Sequence, residues 1–336
     1  MIASAGAMTR ARPLPTSPAV LLSLFAVATL WIGCRSPERR ESASRTDARA
    51  EAMLRTAIQA EAEGDSDAAL DGYRRSIEIA PDHVPAHRRY QDLMSRLDRR
   101  DEVREEYRKR LQERSSAAEW CMLGRLEANP TLQDFRYRRA LELDPDFVWA
   151  HYALAGVLRR KGQTGLALEH QRRAAAGLPD LPEVRLELAE LLREMGQWNE
   201  AITEYEAYLG SVGRDLYVEE CIAGCLLRLD RRDAARRAYR AIVTKRPDHV
   251  NAHLGLASIA IEEEKPRVAE RHLSRAREIE PKRAEVYFNL GLLHEELLDD
   301  ADGALEFYRK YLELDGEQML RTQLRMRRLE REKGEG

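Results

Sequence analysis

Few residues in this 336-residue sequence are of types that do chemistry, and their spacing is informative. The four cysteines are Cys34, Cys121, Cys221 and Cys225. No two have CxxC spacing, so neither a dithiol redox motif nor a zinc knuckle is indicated. Cys221 and Cys225 stand four apart on an expected helix, where disulfide geometry is poor, and read as small buried residues. His83 and His87 recur as His249 and His253, in PDHVPAH and PDHVNAH. Four-residue spacing could set two imidazoles on one helical face as metal ligands. Phe147 and His151 fill the same two slots, so common descent of the segments is the simpler cause and no metal is expected. The arginine pairs at 88–89, 99–100, 231–232 and 236–237 could meet phosphates, but Asp98, Asp101, Asp230 and Asp233 lie among them, as on solvated helix faces. There is no glycine-rich phosphate loop, HExxH or GxSxG. The expectation is therefore a chain with no catalytic residues, no cofactor and no small-molecule substrate.

Composition agrees. With 55 basic against 58 acidic residues the formal charge is −3, so no overall field favours nucleic acid. Apolar residues at 43% suffice for a core, and 19 Gly and 13 Pro suit helices joined by short turns.

The residues at 1–33 read as an address. Arg10 and Arg12 precede a charge-free, mostly apolar run from Ala19 to Ile32, which is of signal-peptide length and too short for an ordinary membrane span. The run closes on Leu30-Trp31-Ile32-Gly33-Cys34. This resembles the signal of bacterial lipoproteins, although Trp31 stands where that family prefers Leu. The resemblance implies cleavage before Cys34, a lipid on its sulfur, and a place in the bacterial cell envelope. Arg35 in place of Asp implies the outer membrane, at its periplasmic face, in a double-membraned cell; secretion or an uncleaved membrane anchor is the alternative. Residues 34–49 are polar and Ser/Arg/Glu-rich, and read as a flexible tether.

The strongest pattern is self-similarity. Prolines at 81, 145, 179, 247 and 281 are spaced at near multiples of 34 residues. With that proline as position 32 of a unit, position 8 is small (Ala57, Gly124, Ala155, Ala189, Ala223, Ala257, Gly291). Position 20 is Ala69, Ala167, Ala201, Ala235 and Ala269. Position 24 is Tyr73, Tyr107, Tyr137, Tyr205, Tyr239 and Leu273. Two antiparallel helices approach closely only where side chains are small, and large residues then fill the remaining space, each contributing about 1.5–3 kcal/mol.

These residues resemble the tetratricopeptide repeat. Eight copies cover 50–318: 50–83, 84–116, 117–147, 148–181, 182–215, 216–249, 250–283 and 284–318. The second is degenerate, the third lacks about three residues near Pro130, and the eighth carries one extra near Asp299–Asp302. The resemblance implies an all-α, right-handed superhelical solenoid of helical hairpins. Residues 319–336 form a capping helix and tail, with Met319, Leu320, Leu324, Met326 and Leu329 as an apolar side, since a terminal unit needs a polar outer face.

The resemblance also implies a concave groove lined by the first helix of each repeat. The residues placed there are Trp149, Tyr152, Arg159, Leu186, Glu190, Arg193, Tyr217, Leu254, Phe288 and Leu292. The groove is expected to be basic toward its N-terminal end, with Arg88 and Arg125, and apolar-acidic toward Glu285, Glu295 and Glu296. Position 9 holds no Asn, so the chaperone-tail clamp of some family members is excluded. The implied function is a non-catalytic scaffold or adaptor that binds a protein or peptide and touches a membrane through its lipid. An accessory or sensor subunit of a separately encoded enzyme, such as a glycosyltransferase, is the alternative.

Overall fold

The computed structural model describes residues 37–334, and among them every regular element is an α-helix. The helices are α1 (Pro37–Ala62), α2 (Ser66–Ile79), α3 (Val84–Arg96), α4 (Arg100–Glu113), α5 (Ala117–Leu126), α6 (Pro130–Leu143), α7 (Val148–Arg160) and α8 (Thr164–Gly177). There follow α9 (Pro182–Glu194), α10 (Trp198–Val212), α11 (Leu216–Arg228), α12 (Arg232–Lys245), α13 (Val250–Glu262), α14 (Pro266–Ile279), α15 (Ala284–Glu296), α16 (Ala301–Glu313) and α17 (Met319–Gly334). The first sixteen form eight hairpins whose limits follow the expected 34-residue units. Expected signal residues 1–33 and Cys34 lie outside the described residues.

The helix ends follow from local chemistry. Asp65, Asn129, Asp215 and Asp300 accept backbone N–H groups at the starts of α2, α6, α11 and α16. Ser116 and Glu119 form a reciprocal cap on α5. The recurrent prolines stand two residues beyond the last residue of each second helix, where a helix cannot continue. The turn inside every hairpin but the third has one left-handed residue. Gly64, Gly162 and Gly196 supply it at φ of 73–86°, whereas Asp98, Asp230 and Glu264 adopt φ of 55–58° in the same slot.

Two compact units divide the chain, one ending at Lys109 and the other starting at Arg110. In the first, Ala57 and Ala69 are buried between α1 and α2 with Tyr73 beside them, and the Ser76 hydroxyl donates to the Ala50 carbonyl at 2.8 Å. In the second, Ala155, Ala189, Ala223 and Ala257 face Ala167, Ala201, Ala235 and Ala269, all at most 1% exposed. At Gly124 and Gly291 a Cβ would lie 2.6 and 2.3 Å from the ring of Tyr137 or Tyr308, so even alanine is too large there. Of the two cysteines expected to be buried, Cys225 is a buried free thiol and Cys221 is only half-buried; Cys121 is also free and buried.

Two expectations need correction. The stretch read as a tether is helical from Pro37 onward. Proline is accepted at the first helical position, and Glu, Arg and Ala favour helix, so lack of an apolar stripe did not prevent α1 from extending outward. The terminal helix is also not polar outside. Thr322, Arg325, Met326 and Leu329 turn inward, leaving Met319, Leu320 and Leu324 51%, 72% and 56% exposed. The inward residues recur every three to four positions, and the other apolar residues fall off that stripe.

Candidate protein-binding groove

The first helices of successive repeats lie side by side in the second unit, with α5 against α7, α11 against α13 and α13 against α15. Residues about one repeat apart therefore meet. The Tyr152 hydroxyl on α7 donates to Glu187 on α9 at 2.8 Å. One turn or two further on, Arg159 Nε donates to Glu194 at 3.1 Å, and its Nη2 lies 3.9 Å from Glu190. Both hydrogen-bonded partners stand 35 residues after the group they serve.

Glu190 is the centre of this network. One oxygen accepts from Tyr217 Oη at 2.6 Å, from the next repeat, and from Tyr205 Oη at 3.1 Å. The other accepts from Arg193 Nη2 at 2.9 Å, and Arg193 Nε also reaches the Tyr205 oxygen at 3.2 Å. Burial pushes the Glu190 carboxyl up, but bonds from Tyr217 and Arg193 outweigh it and hold the group below the ordinary carboxylate range. Glu187 moves the other way, because burial there exceeds the help of the single Tyr152 bond. Burial likewise raises the Cys221 thiol beside the two tyrosines, which keeps it a poor nucleophile. Such a cluster can hold and orient a ligand.

The polar ladder continues. Asn251 Nδ2 donates to Glu220 at 3.0 Å, and Arg283 Nη2 donates to Asn251 Oδ1 at 3.2 Å. Thus Tyr152, Arg159, Glu190, Arg193 and Tyr217 are brought together, with Trp149 and Leu186 half-buried on the same two helices, α7 and α9. Tyr217 is 52% exposed, so its ring remains accessible. Leu254 is half-buried against the core formed by Val250, Ala257 and Leu290.

The C-terminal end of the expected groove is covered. Phe288 is only 9% exposed, packed on Tyr308, Tyr311 and Leu329, while Leu292 and Met326 pack against the same cluster. Glu295 accepts from Tyr308 at 2.5 Å and from Arg325 at 2.8 Å, and also pairs with Arg328. Burial works against its charge, but these donors win and depress its pKa. Hence α17 occupies the place that a ninth first helix would take, and the acidic end is neutralised from within the chain.

Glu187, Glu194 and Tyr205 were missed as members of the cluster. The signal for Glu187 and Glu194 was present as complementary side chains about one repeat from Tyr152 and Arg159, and for Tyr205 as the position-24 ring of the repeat that holds Glu190. The repeated histidines also separate: His87 and His253 turn inward, whereas His83 and His249 stand at helix starts near Glu51 and Glu220, and His249 accepts the Ala252 backbone N–H there. The arginine pairs are drawn to acids, Arg232 to Glu262 and Arg236 to Asp233.

The array defines a helical-repeat protein with polar contacts strung between neighbouring repeats. Models of the tetratricopeptide repeat match residues 51–83, 136–169, 183–211, 226–293 and 284–318, so the chain carries tetratricopeptide repeats. Among solved structures, a tetratricopeptide repeat protein from Parabacteroides merdae is similar at 13% identity and a TM-score of 0.48, over 83% of this chain and 98% of that one. Pseudomonas aeruginosa pilF is similar at 20% identity and 0.43, over 65% and 99% of the two chains. MamA from Desulfovibrio magneticus is similar at 19% and 0.44, over 51% and 96%. Comparison with curated proteins finds no match.

Proposed function

We propose that the protein is a non-catalytic scaffold that binds a protein or peptide partner along α7, α9 and α11. The Glu190 network carries this reading. With the neighbouring Tyr152–Glu187 bond, it holds Tyr152, Arg159, Arg193 and Tyr217 in place before any partner arrives, and pre-ordered Tyr and Arg side chains are the groups that dominate binding energy at interfaces. A Cβ added at Gly156 or Gly224, position 9 of α7 and α11, would meet no side chain closer than 3.7 Å, so a ligand could approach the helix backbone there. A partner with apolar anchors and both charge signs would suit a surface where Arg and Glu alternate. The triple substitution W149A/Y152A/R159A should lose the main partner in pull-downs from envelope extracts, while the helical content of the chain is unchanged. Retention of that partner by the variant would show that binding lies elsewhere.

The same proposal places the protein on a bacterial envelope membrane, held by lipid on Cys34. What supports the address is the run from Ala19 to Gly33 ahead of the cysteine. No described helix is long and apolar enough to cross a membrane. Acyl chains contribute about 0.8 kcal/mol per buried methylene, so multiple acylation would anchor durably. Cys34→Ser should move the protein from the membrane to the soluble fraction; unchanged partition would remove lipidation from the proposal.

A further inference from the structure

Position 4 of repeats two, four and seven carries His87, His151 and His253. Each Nε2 lies 2.8–3.1 Å from the carbonyl of the preceding closing proline, Pro81, Pro145 or Pro247. A carbonyl only accepts, so Nε2 carries the proton, and in the neutral ring Nδ1 is left as an acceptor. Tyr287 makes the same clasp to Pro281 in repeat eight, at 2.8 Å. In repeat two, His87 Nδ1 meets the Tyr107 hydroxyl at 2.6 Å. In repeats four and seven the partner is a second imidazole. His151 Nδ1 lies 2.7 Å from His170 Nδ1, and His253 Nδ1 lies 3.0 Å from His272 Nδ1. His170 and His272 must therefore donate from Nδ1. Both pairs join the first helix of a hairpin to its second, α7 to α8 and α13 to α14.

Repeat five fills the same two slots with Arg185 and Glu204, an ion pair at 3.1 Å. That pair contains no imidazole. A neutral imidazole pair can take its first proton on the free Nε2 of His170 or His272 with the hydrogen bond kept; a second proton, on Nδ1 of His151 or His253, replaces that bond with two N–H groups and two like charges face to face. The surroundings do not offset that charge. Arg173 on α8 and Arg138 on α6 act against a charge on His170, with Glu169 opposing them; Arg271 on α14 and Arg240 on α12 act against one on His272.

We propose that the two histidine pairs are acid-labile clasps, closed at neutral pH and opened by protonation, so that the hairpins of repeats four and seven loosen while repeat five between them does not. Burial and the neighbouring His253 push the His272 ring down to about 4, and burial with His151 lowers His170. A ring with a depressed folded-state pKa binds fewer protons than the unfolded chain. Its contribution to stability is therefore whole above about pH 6.5 and is lost as the pH falls toward 4, at up to about tenfold in the opening equilibrium per pH unit per ring. If α7 binds as proposed above, acid would also free the helix that carries Tyr152 and Arg159. The clasp itself does not depend on that reading.

Hydrogen exchange of the full chain between pH 7.5 and 4.5, corrected for intrinsic exchange, tests the proposal with α9–α10 as internal reference. In the wild type, opening of α7–α8 and α13–α14 should rise by about tenfold or more over the reference between pH 7 and 5. His170→Gln should remove that acid response from repeat four alone, and His272→Gln from repeat seven alone. If either variant is less protected at every pH, its slope with pH still decides. His170→Glu should reverse the slope in repeat four, because the His151 imidazolium then faces a carboxylate. Repeats four and seven tracking repeat five in the wild type, or keeping their acid response after their own histidine is replaced, would overturn the proposal.

Discussion

Gly156→Ala and Gly291→Ala are the same chemical change in two helices of equal length, yet they should move stability in opposite directions. Gly156 is the ninth of thirteen residues in α7, and Gly291 the eighth of thirteen in α15. Each gains about 0.8–1 kcal/mol of intrinsic helix propensity on becoming Ala. At position 156 the new methyl finds only Arg160 Nη1, at 3.7 Å, which is ordinary contact, so the gain should appear in full. At position 291 it would sit 2.3, 2.5 and 2.9 Å from three ring carbons of Tyr308. Carbon atoms in good contact stand at about 3.5–4.0 Å, so that ring must retreat by about 1 Å or more. Tyr308 is fully buried and its hydroxyl is held by Glu295, so it has little room to move. Overpacking of this kind costs about 1–3 kcal/mol. Because the propensity gain is common to both variants, the difference between them isolates that cost, about 1–3 kcal/mol in favour of Gly156→Ala. Urea unfolding followed by circular dichroism, at equal m-value, gives the comparison directly. Equal shifts for the two variants would refute the view that close helix approach at position 8 explains Gly291. Gly156→Ala should also weaken partner binding while stabilising the fold, since it fills space on the face proposed for the ligand.

Further outcomes follow from single contacts. Glu264→Gly should stabilise the seventh hairpin by about 1 kcal/mol in thermal or urea unfolding, because Glu occupies a left-handed turn at φ 55° where Gly has no steric penalty. Ser76→Ala should destabilise the first hairpin by about 1 kcal/mol in the same assays, by leaving the buried Ala50 carbonyl without its 2.8 Å donor. Glu295→Gln should raise hydrogen exchange in α17 by removing the anion shared by Arg325 and Arg328. The Glu295 contribution is also pH-dependent. Its depressed pKa means that the stabilisation is whole above the ordinary carboxylate range and is lost as the pH falls through the lowered value, so α17 should detach in acid in the wild type and show no such response in the variant.

The repeat architecture was legible in the sequence because its cause is local. A small residue at positions 8 and 20, a large ring at 24 and a proline at 32 act within one hairpin, and each excludes other conformations over a few residues. Ala57 with Ala69, or Ala223 with Ala235 and Tyr239, could be grouped from the 34-residue register alone. The shortened third unit and the lengthened eighth were visible for the same reason: they break that register. The polar contacts were not legible in this way. Whether Tyr152 meets Glu187, or His151 meets His170, depends on the offset between packed helices and on which rotamer reaches across, and neither is written in a one-dimensional pattern. Position analogy put Phe288 and Leu292 in an open groove, whereas α17 covers them, because only the folded chain shows which face of the last helix docks. The sequence by itself determined the unit and its number, through sterics that repeat every 34 residues. The tertiary structure alone decided which side chains of neighbouring units share a proton or a charge, because hydrogen bonds form over about 3 Å and that precision is set by packing.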